Sequence, residues 1–327
     1  MNYYLYKLRF ASALHVGSDS GRDNLASSEF TIHSDTLFSA LCIEAIHNGG
    51  EKCLNQLVGM FDRGEAILSD TLPFCAEEYF LPKPVLKKRA VHMDSEPKDR
   101  KLYKNLTYVP LSMFDEYLAS ASGAPFDIHR AALLLQDIVL YDKRQCVAIS
   151  RQEETQPYFI GSVVFNDDCG LYVIVGCEND EAKTMLNKLL KSLSYSGIGG
   201  KRSIGCGKFV LENSVEIAIS DNPSFKTLHS LLNNKNANVY MTLNTSLPTE
   251  QELDEVVPTG RFMLCHRGGF VESMSYSDTP LKKKNLYAFA SGACLEMPYK
   301  GAVYDIASGG KHPVYRCLKP LFAGVNI

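Results

Sequence analysis

The run Gly197-Ile198-Gly199-Gly200-Lys201-Arg202-Ser203-Ile204-Gly205-Cys206-Gly207 constrains this chain more than any other stretch. Five glycines bracket a Lys-Arg-Ser core, after a helix-like run from Asp180 to Tyr195 and before a strand-like run from Lys208 to Ile217. Glycine enters left-handed and mirror-β backbone regions freely, so this spacing predicts a tight loop whose N–H groups can converge on an anion. No side chains obstruct such a loop, and Lys201 and Arg202 supply charge, so a sugar–phosphate backbone can come close. A Walker loop is excluded, because Gly-Lys-Ser/Thr is absent and the loop follows a helix instead of preceding one. The strand–loop–helix order of a dinucleotide fingerprint is missing too. A plain structural turn is the alternative reading.

At 327 residues the chain has room for two domains of ordinary size. A hydrophobic fraction of 45% and a charged fraction of 22% are those of a soluble globular protein. The formal charge of −3 excludes a global basic field, so any nucleic-acid contact must come from a local patch. The 10 cysteines are scattered, with no Cys-x-x-Cys pair and no zinc spacing, which predicts free apolar thiols in a reducing cytoplasm and no metal or cofactor. No apolar run is long enough to span a bilayer, and the first residues alternate like a strand, unlike a signal peptide.

Tyr4, Tyr6, Leu8 and Phe10 against Lys7 and Arg9 predict a first strand with one buried face. A polar loop, His15 to Arg22, follows. Ser34 or Asp35 then caps a helix through about His47, with Leu37, Phe38, Leu41 and Ile46 inward and Gly49-Gly50 stopping it. A second helical piece covers Glu51 to Phe61. Past the rigid Leu81-Pro82-Lys83-Pro84, the cations Lys83, Lys87, Lys88, Arg89, Lys98, Arg100, Lys101 and Lys104 read either as a solvated excursion or as an arm touching RNA phosphates. Strands at Tyr158–Phe165 and Gly170–Gly176, with a turn between them, precede the helix and the glycine-rich loop. The order is strand, helix, strands, helix, strand: the α+β, ferredoxin-like (RRM-like) βαββαβ pattern. Asp221-Asn222-Pro223 breaks the chain, so residues 1–220 are expected to form one domain and 221–327 another. The second, also expected to be ferredoxin-like, has a helix at Ser224–Leu232 and strands near Val239–Leu243, Phe262–His266, Leu286–Ala290 and Val314–Leu318.

Gly197-Ile198-Gly199, five residues, then Gly205-Cys206-Gly207 resembles the signature loop of the RAMP superfamily of CRISPR proteins. Further segments narrow the resemblance: Phe30 to Leu41, Leu81-Pro82-Lys83-Pro84, Tyr195-Ser196, Leu286 to Gly292, and His312-Pro313-Val314-Tyr315 leading to Lys319-Pro320-Leu321-Phe322. Together, over nearly the full length, they are similar to subunit four of the Csm complex, the type III-A CRISPR interference machine. That resemblance implies a non-catalytic, one-copy subunit of a hetero-oligomer, holding the 5′ tag of the guide RNA. It also implies docking onto the large signature subunit and the first backbone subunit, with no membrane partner. A thumb-like hairpin meeting the guide–target duplex is implied between about Leu140 and Phe159, with Arg144, Arg151 and Tyr158 as contacts.

The residues then expected at RNA are His15, Gly17 and Ser18 in the first loop, and His33 and Ser34 at a helix start that favours phosphate. Lys83 joins them, with the loop residues Gly197, Gly199, Gly200, Lys201, Arg202, Ser203, Gly205 and Gly207. His266-Arg267-Gly268-Gly269-Phe270 offers a cation in Arg267 and a stacking ring in Phe270. The rival is a metal-independent endoribonuclease maturing guide RNA. It would use His15 as general acid or base, the role a histidine in this region has in related guide-processing ribonucleases. No partner group for His15 is identifiable in the sequence.

Overall fold

The computed structural model describes residues 1–17, 25–86, 97–148, 156–273 and 275–327. The chain runs β1 (Asn2–Phe10), α1 (Ser34–Asp62), β2 (Ala66–Leu68), β3 (Leu72–Cys75), β4 (Glu78–Pro82), α2 (Pro97–Asn105) and β5 (Tyr108–Pro110). It continues through α3 (Phe114–Ser120), α4 (Ile128–Gln136), β6 (Val139–Ala148), β7 (Gln156–Phe165), β8 (Cys169–Cys177) and α5 (Asp180–Ser196). Next come β9 (Phe209–Leu211), β10 (Val215–Glu216), α6 (Pro223–Asn233), β11 (Val239–Thr242) and α7 (Leu253–Val256). The last strands are β12 (Leu264–Arg267), β13 (Leu286–Phe289), β14 (Cys294–Leu295), β15 (Val303–Asp305), β16 (Tyr315–Cys317) and β17 (Phe322–Val325).

Among the described residues, an eight-stranded antiparallel sheet has the order β10–β1–β8–β3–β4–β5, with β9 also on β1 and β2 also on β8. Its centre is β8, whose residues are all buried because both faces of the sheet are covered. Tyr4, Tyr6 and Leu8 of β1 enter one core with Leu37, Phe38 and Leu41 of α1 and Leu186, Leu190 and Leu193 of α5. Leu5 enters a second core on the opposite face, with Tyr172, Phe225, Leu228 and Val325. The expectation of one buried face on β1 is thereby corrected. Residues from both sides of the 221–223 break supply that second core.

Two register shifts interrupt the ladders of this sheet. β9 pairs with Leu8–Phe10 and β10 with Tyr4–Leu5, offset by one residue, so the expected single strand from Lys208 to Ile217 is interrupted by a bulge. A similar offset separates β2 from β3 along β8. There Ser69 still pairs with Ile174, but Asp70 swings out, its N–H donating to the carbonyl of Leu243 (3.0 Å).

Gly50, at φ 64° and ψ −159°, breaks α1 where the glycine pair predicts a stop. The expected capping is different: His33 is the N-cap and makes no side-chain cap, because Asp70 does that work from the bulge. Ile46, expected inward, is exposed. β7 does not form a hairpin with β8; its partner is β6, in a ribbon running from Val139↔Phe165 to Ala148↔Gln156. In the last third, the expected strands fall into different sheets: β14–β11–β17, β12–β13 and β15–β16. Cys75 and Cys169, opposite each other on β3 and β8 with Cα atoms 4.0 Å apart, are joined by a disulfide, so not every thiol is free. Among the described residues no helix is long and apolar enough to cross a membrane.

Candidate nucleic-acid interface

Asn179 caps α5 by accepting the N–H of Ala182 (2.8 Å), and Gly197 (φ 79°) ends the helix by donating to the carbonyl of Leu193 (2.8 Å). The glycine-rich loop is then folded against its own ends and against residues 13–15. Ile198 N–H donates to Gly207, Gly200 to His15 and Gly207 to Ala13, at 2.8–3.0 Å. Gly205 and Cys206 donate to Arg202 and Lys201 within a 3-10 turn over Arg202–Ile204. The N–H groups of Gly197, Gly200, Gly205 and Gly207 are therefore taken up by the protein itself. Among the described residues, no carbonyl takes the N–H groups of Lys201, Arg202 and Ser203, which lead into that turn. Lys201 itself is left-handed (φ 60°), a conformation that costs a non-glycine residue and is held only by its surroundings. Successive N–H groups that no described carbonyl takes, beside an αL residue, have the geometry of an anion nest.

Two other segments meet this loop. The Lys201 ammonium lies 5.7 Å from the ring centroid of Tyr158 on β7. Arg144 and Tyr158 share a face of the β6–β7 ribbon, since Arg144 opposes Ile160 and Tyr158 opposes Cys146 two residues on. The Arg202 guanidinium forms an ion pair with Glu272. Two residues before Glu272, Phe270 is exposed, with Lys282 5.7 Å from its ring centroid. Lys201, Arg202, Ser203, Tyr158 and the 270–272 segment thus form one cationic and aromatic patch. His15 holds it from beneath: it is buried, and its Nδ1 donates to the carbonyl of Gly161 on β7 (2.5 Å). Its own carbonyl accepts Gly200, so His15 ties the ribbon's root to the loop.

His33, Ser34 and Arg267 are placed elsewhere, in a buried polar hub. The carboxylate of Asp70 accepts the N–H groups of Ser34 (2.7 Å) and Thr245 (2.8 Å), while His33 Nδ1 donates to Asp70 (3.2 Å) and Thr245 Oγ1 (2.7 Å). Burial and the charge of Arg267 oppose a protonated His33, but hydrogen bonds to Asp70 and Glu29 outweigh them and hold its pKa at about 9. Arg267 grips Asp35 through Nε (3.0 Å) and Nη2 (2.9 Å), and Arg316 Nε approaches the same carboxylate at 3.2 Å. Burial alone would raise Asp35, yet the two arginines pull it down to about 2. Arg267, expected as a phosphate-facing cation, is instead turned inward, and Ser34 is buried against Thr245. The hub fastens the start of α1 to the C-terminal third.

Gly17 is exposed, while Ser18 and Arg151 lie outside the described residues, as do Lys87, Lys88 and Arg89 of the basic run. Lys83 Nζ donates to the carbonyl of Tyr103 near the end of α2. The sequence gives no sign of Glu272 at the patch, nor of Asp70, Thr245 and Arg316 in the hub. Asp70 stands in an unremarkable Ser-Asp-Thr, and no local signal marks the bulge that exposes it. Among the described residues no group of three or more His, Cys, Asp or Glu side chains is placed to hold a metal.

The family model of the RAMP superfamily matches residues 7–210, and that of the CRISPR Csm4 C-terminal domain matches residues 235–325. The "CRISPR system Cms protein Csm4" of Mycobacterium tuberculosis (strain H37Rv) is 33% identical over 323 residues, 98% of this chain and 97% of that protein. Among solved structures, the fold is similar to a chain of a Csm3–Csm4 subcomplex in the type III-A CRISPR-Cas interference complex (TM-score 0.66, 18% identity, 100% of both chains). It is also similar to a chain of a Csm1–Csm4 cassette in complex with cA4 (TM-score 0.63, 16% identity, 99% of this chain and 98% of that one). The chain belongs to the Csm4 family of the RAMP superfamily.

Proposed function

We propose that this chain is a non-catalytic RNA-binding subunit of a type III-A CRISPR interference complex, present in one copy in the cytoplasm. In this reading it holds the 5′ tag of the guide RNA, contacts the guide–target duplex through the β6–β7 ribbon, and docks the large signature subunit and a backbone subunit. Relatives of this fold are found with Csm3 and with Csm1, which supports both protein partners. The observation that carries the RNA reading is the nest itself: the N–H groups of Lys201, Arg202 and Ser203 lie beside an ammonium and the Tyr158 ring. Phosphate on the nest would position the strand, and an unstacked base on an aromatic ring would follow. We also read residues 1–220 as one ferredoxin-like domain. The spatial order β9/β10–β1–β8–β3, with α1 and α5 on one face, suits a βαββαβ unit. Residues 221–327 are read as a second such domain, with α6 against the β14–β11–β17 sheet.

The endoribonuclease alternative needs a free imidazole at the RNA. His15 counts against it, being buried with Nδ1 committed to Gly161. The test of the binding reading is Lys201→Ala with Arg202→Ala. Affinity for single-stranded guide RNA should fall, and the log–log salt slope should drop by roughly 0.7 for each phosphate that the variant no longer neutralises. An unchanged slope in a folded double variant removes the loop from the RNA interface.

A further inference from the structure

Arg202 already has an anion. Its guanidinium, 21% exposed, is paired with the carboxylate of Glu272, which is 66% exposed. Glu272 lies outside regular secondary structure, so its side chain can turn away without breaking a ladder or a helix. Solvent screens such a half-solvated pair, so it holds only weakly. A phosphodiester, though tetrahedral, likewise offers two acceptor oxygens to the guanidinium fork, with the same sign of charge. The surroundings are rich in cations. Lys283 N–H donates to the carbonyl of Gly269 (2.8 Å), which keeps its backbone at this segment. Its ammonium is pushed below the ordinary lysine range by burial and by Arg316, with Asp35 and Glu272 acting in the opposite direction.

We infer that Glu272 is a built-in competitor for a phosphate site on Arg202: its carboxylate occupies, in the free chain, the position that an RNA phosphodiester takes on binding. The inference rests on the RNA reading of the glycine-rich loop. Binding is then an exchange of one anion for another. Strands too short to place a phosphate at Arg202 gain nothing there, so the carboxylate sets a threshold against stray anions. Glu272 is a specificity-determining residue in this scheme, and Arg202 is the contact.

The test is a double-mutant cycle on the full-length chain, with a fluorescent single-stranded RNA of the guide's repeat-derived 5′ sequence as probe. Glu272→Gln keeps the size and removes the charge, and thermal melts confirm that it folds. It should tighten RNA binding about two- to five-fold in the otherwise unchanged chain, the range expected for releasing an exposed ion pair. In an Arg202→Ala background the same substitution should change affinity by less than about 1.5-fold. Equal tightening in both backgrounds overturns the inference, because Glu272 would then repel RNA as a general charge. No change, or weaker binding, in the single variant also overturns it. These failures are separable from failure of the RNA reading, which shows instead as unaltered binding by the Lys201→Ala, Arg202→Ala double variant.

Discussion

His33 makes the stability of this chain depend on pH across the neutral range. Its pKa is held at about 9 against an ordinary 6.5. A group raised in the folded state contributes stability that is fully present below its unfolded pKa and is lost as pH rises through the folded one. The gap between 6.5 and about 9 corresponds to about 3 kcal/mol at about 1.36 kcal/mol per pH unit. Integrated from pH 6 to pH 8, about 2 kcal/mol of this is lost, and staying at or below pH 8 keeps most thiols protonated. The perturbation is His33→Gln, which keeps a polar side chain at the hub but cannot titrate. Because the chain has no tryptophan, urea unfolding should be followed by far-UV circular dichroism at both pH values. The wild-type chain should lose about 2 kcal/mol more between pH 6 and pH 8 than His33→Gln, whatever their absolute stabilities. Equal losses in the two proteins would mean that the protonated imidazole is not the group that Asp70 and Glu29 hold.

Asp35→Asn removes the buried carboxylate that Arg267 and Arg316 share and should destabilise the fold by about 3–5 kcal/mol in denaturant titrations; a loss below about 1 kcal/mol sinks the account of the hub. The same carboxylate, held down to about 2, contributes stability above its ordinary 3.8 that disappears as pH falls through about 2, and acid titration of the wild-type chain should show that component absent from Asp35→Asn. Within the loop, a Cβ on Gly199 (φ 90°) would stand 2.5 Å from the carbonyl oxygen of His15, whereas one on Gly205 (φ 92°) meets nothing within 4 Å. Gly205→Ala should therefore cost only backbone strain, about 1 kcal/mol, and Gly199→Ala clearly more; equal shifts in melting temperature contradict that difference.

The helical and strand periods and the glycine loop's position were legible because they are local. Tyr4 to Phe10 alternates, Asn179 and Gly197 cap and end a helix, and glycines sit where the backbone turns left-handed, so neighbouring residues alone specify them. What those elements face is set at long range. The sequence of β1 cannot say that Leu5 will meet Phe225 and Val325 in a second core. Nor does the strand pattern of Gln156–Phe165 tell whether its partner is β6 or β8, since strands pair through backbone groups that either flanking strand supplies. Cations were harder still: Arg202 and Arg267 both stand in glycine-bearing runs and read alike as phosphate contacts. Only the folded chain distinguishes them, by bringing Asp35 to Arg267 in the interior and Glu272 to Arg202 near solvent. Local composition is enough to specify a backbone that turns left-handed at its glycines. Which charges stay near solvent is a property of long-range packing, because an arginine's availability depends on the carboxylate that reaches it and on how much water surrounds the pair.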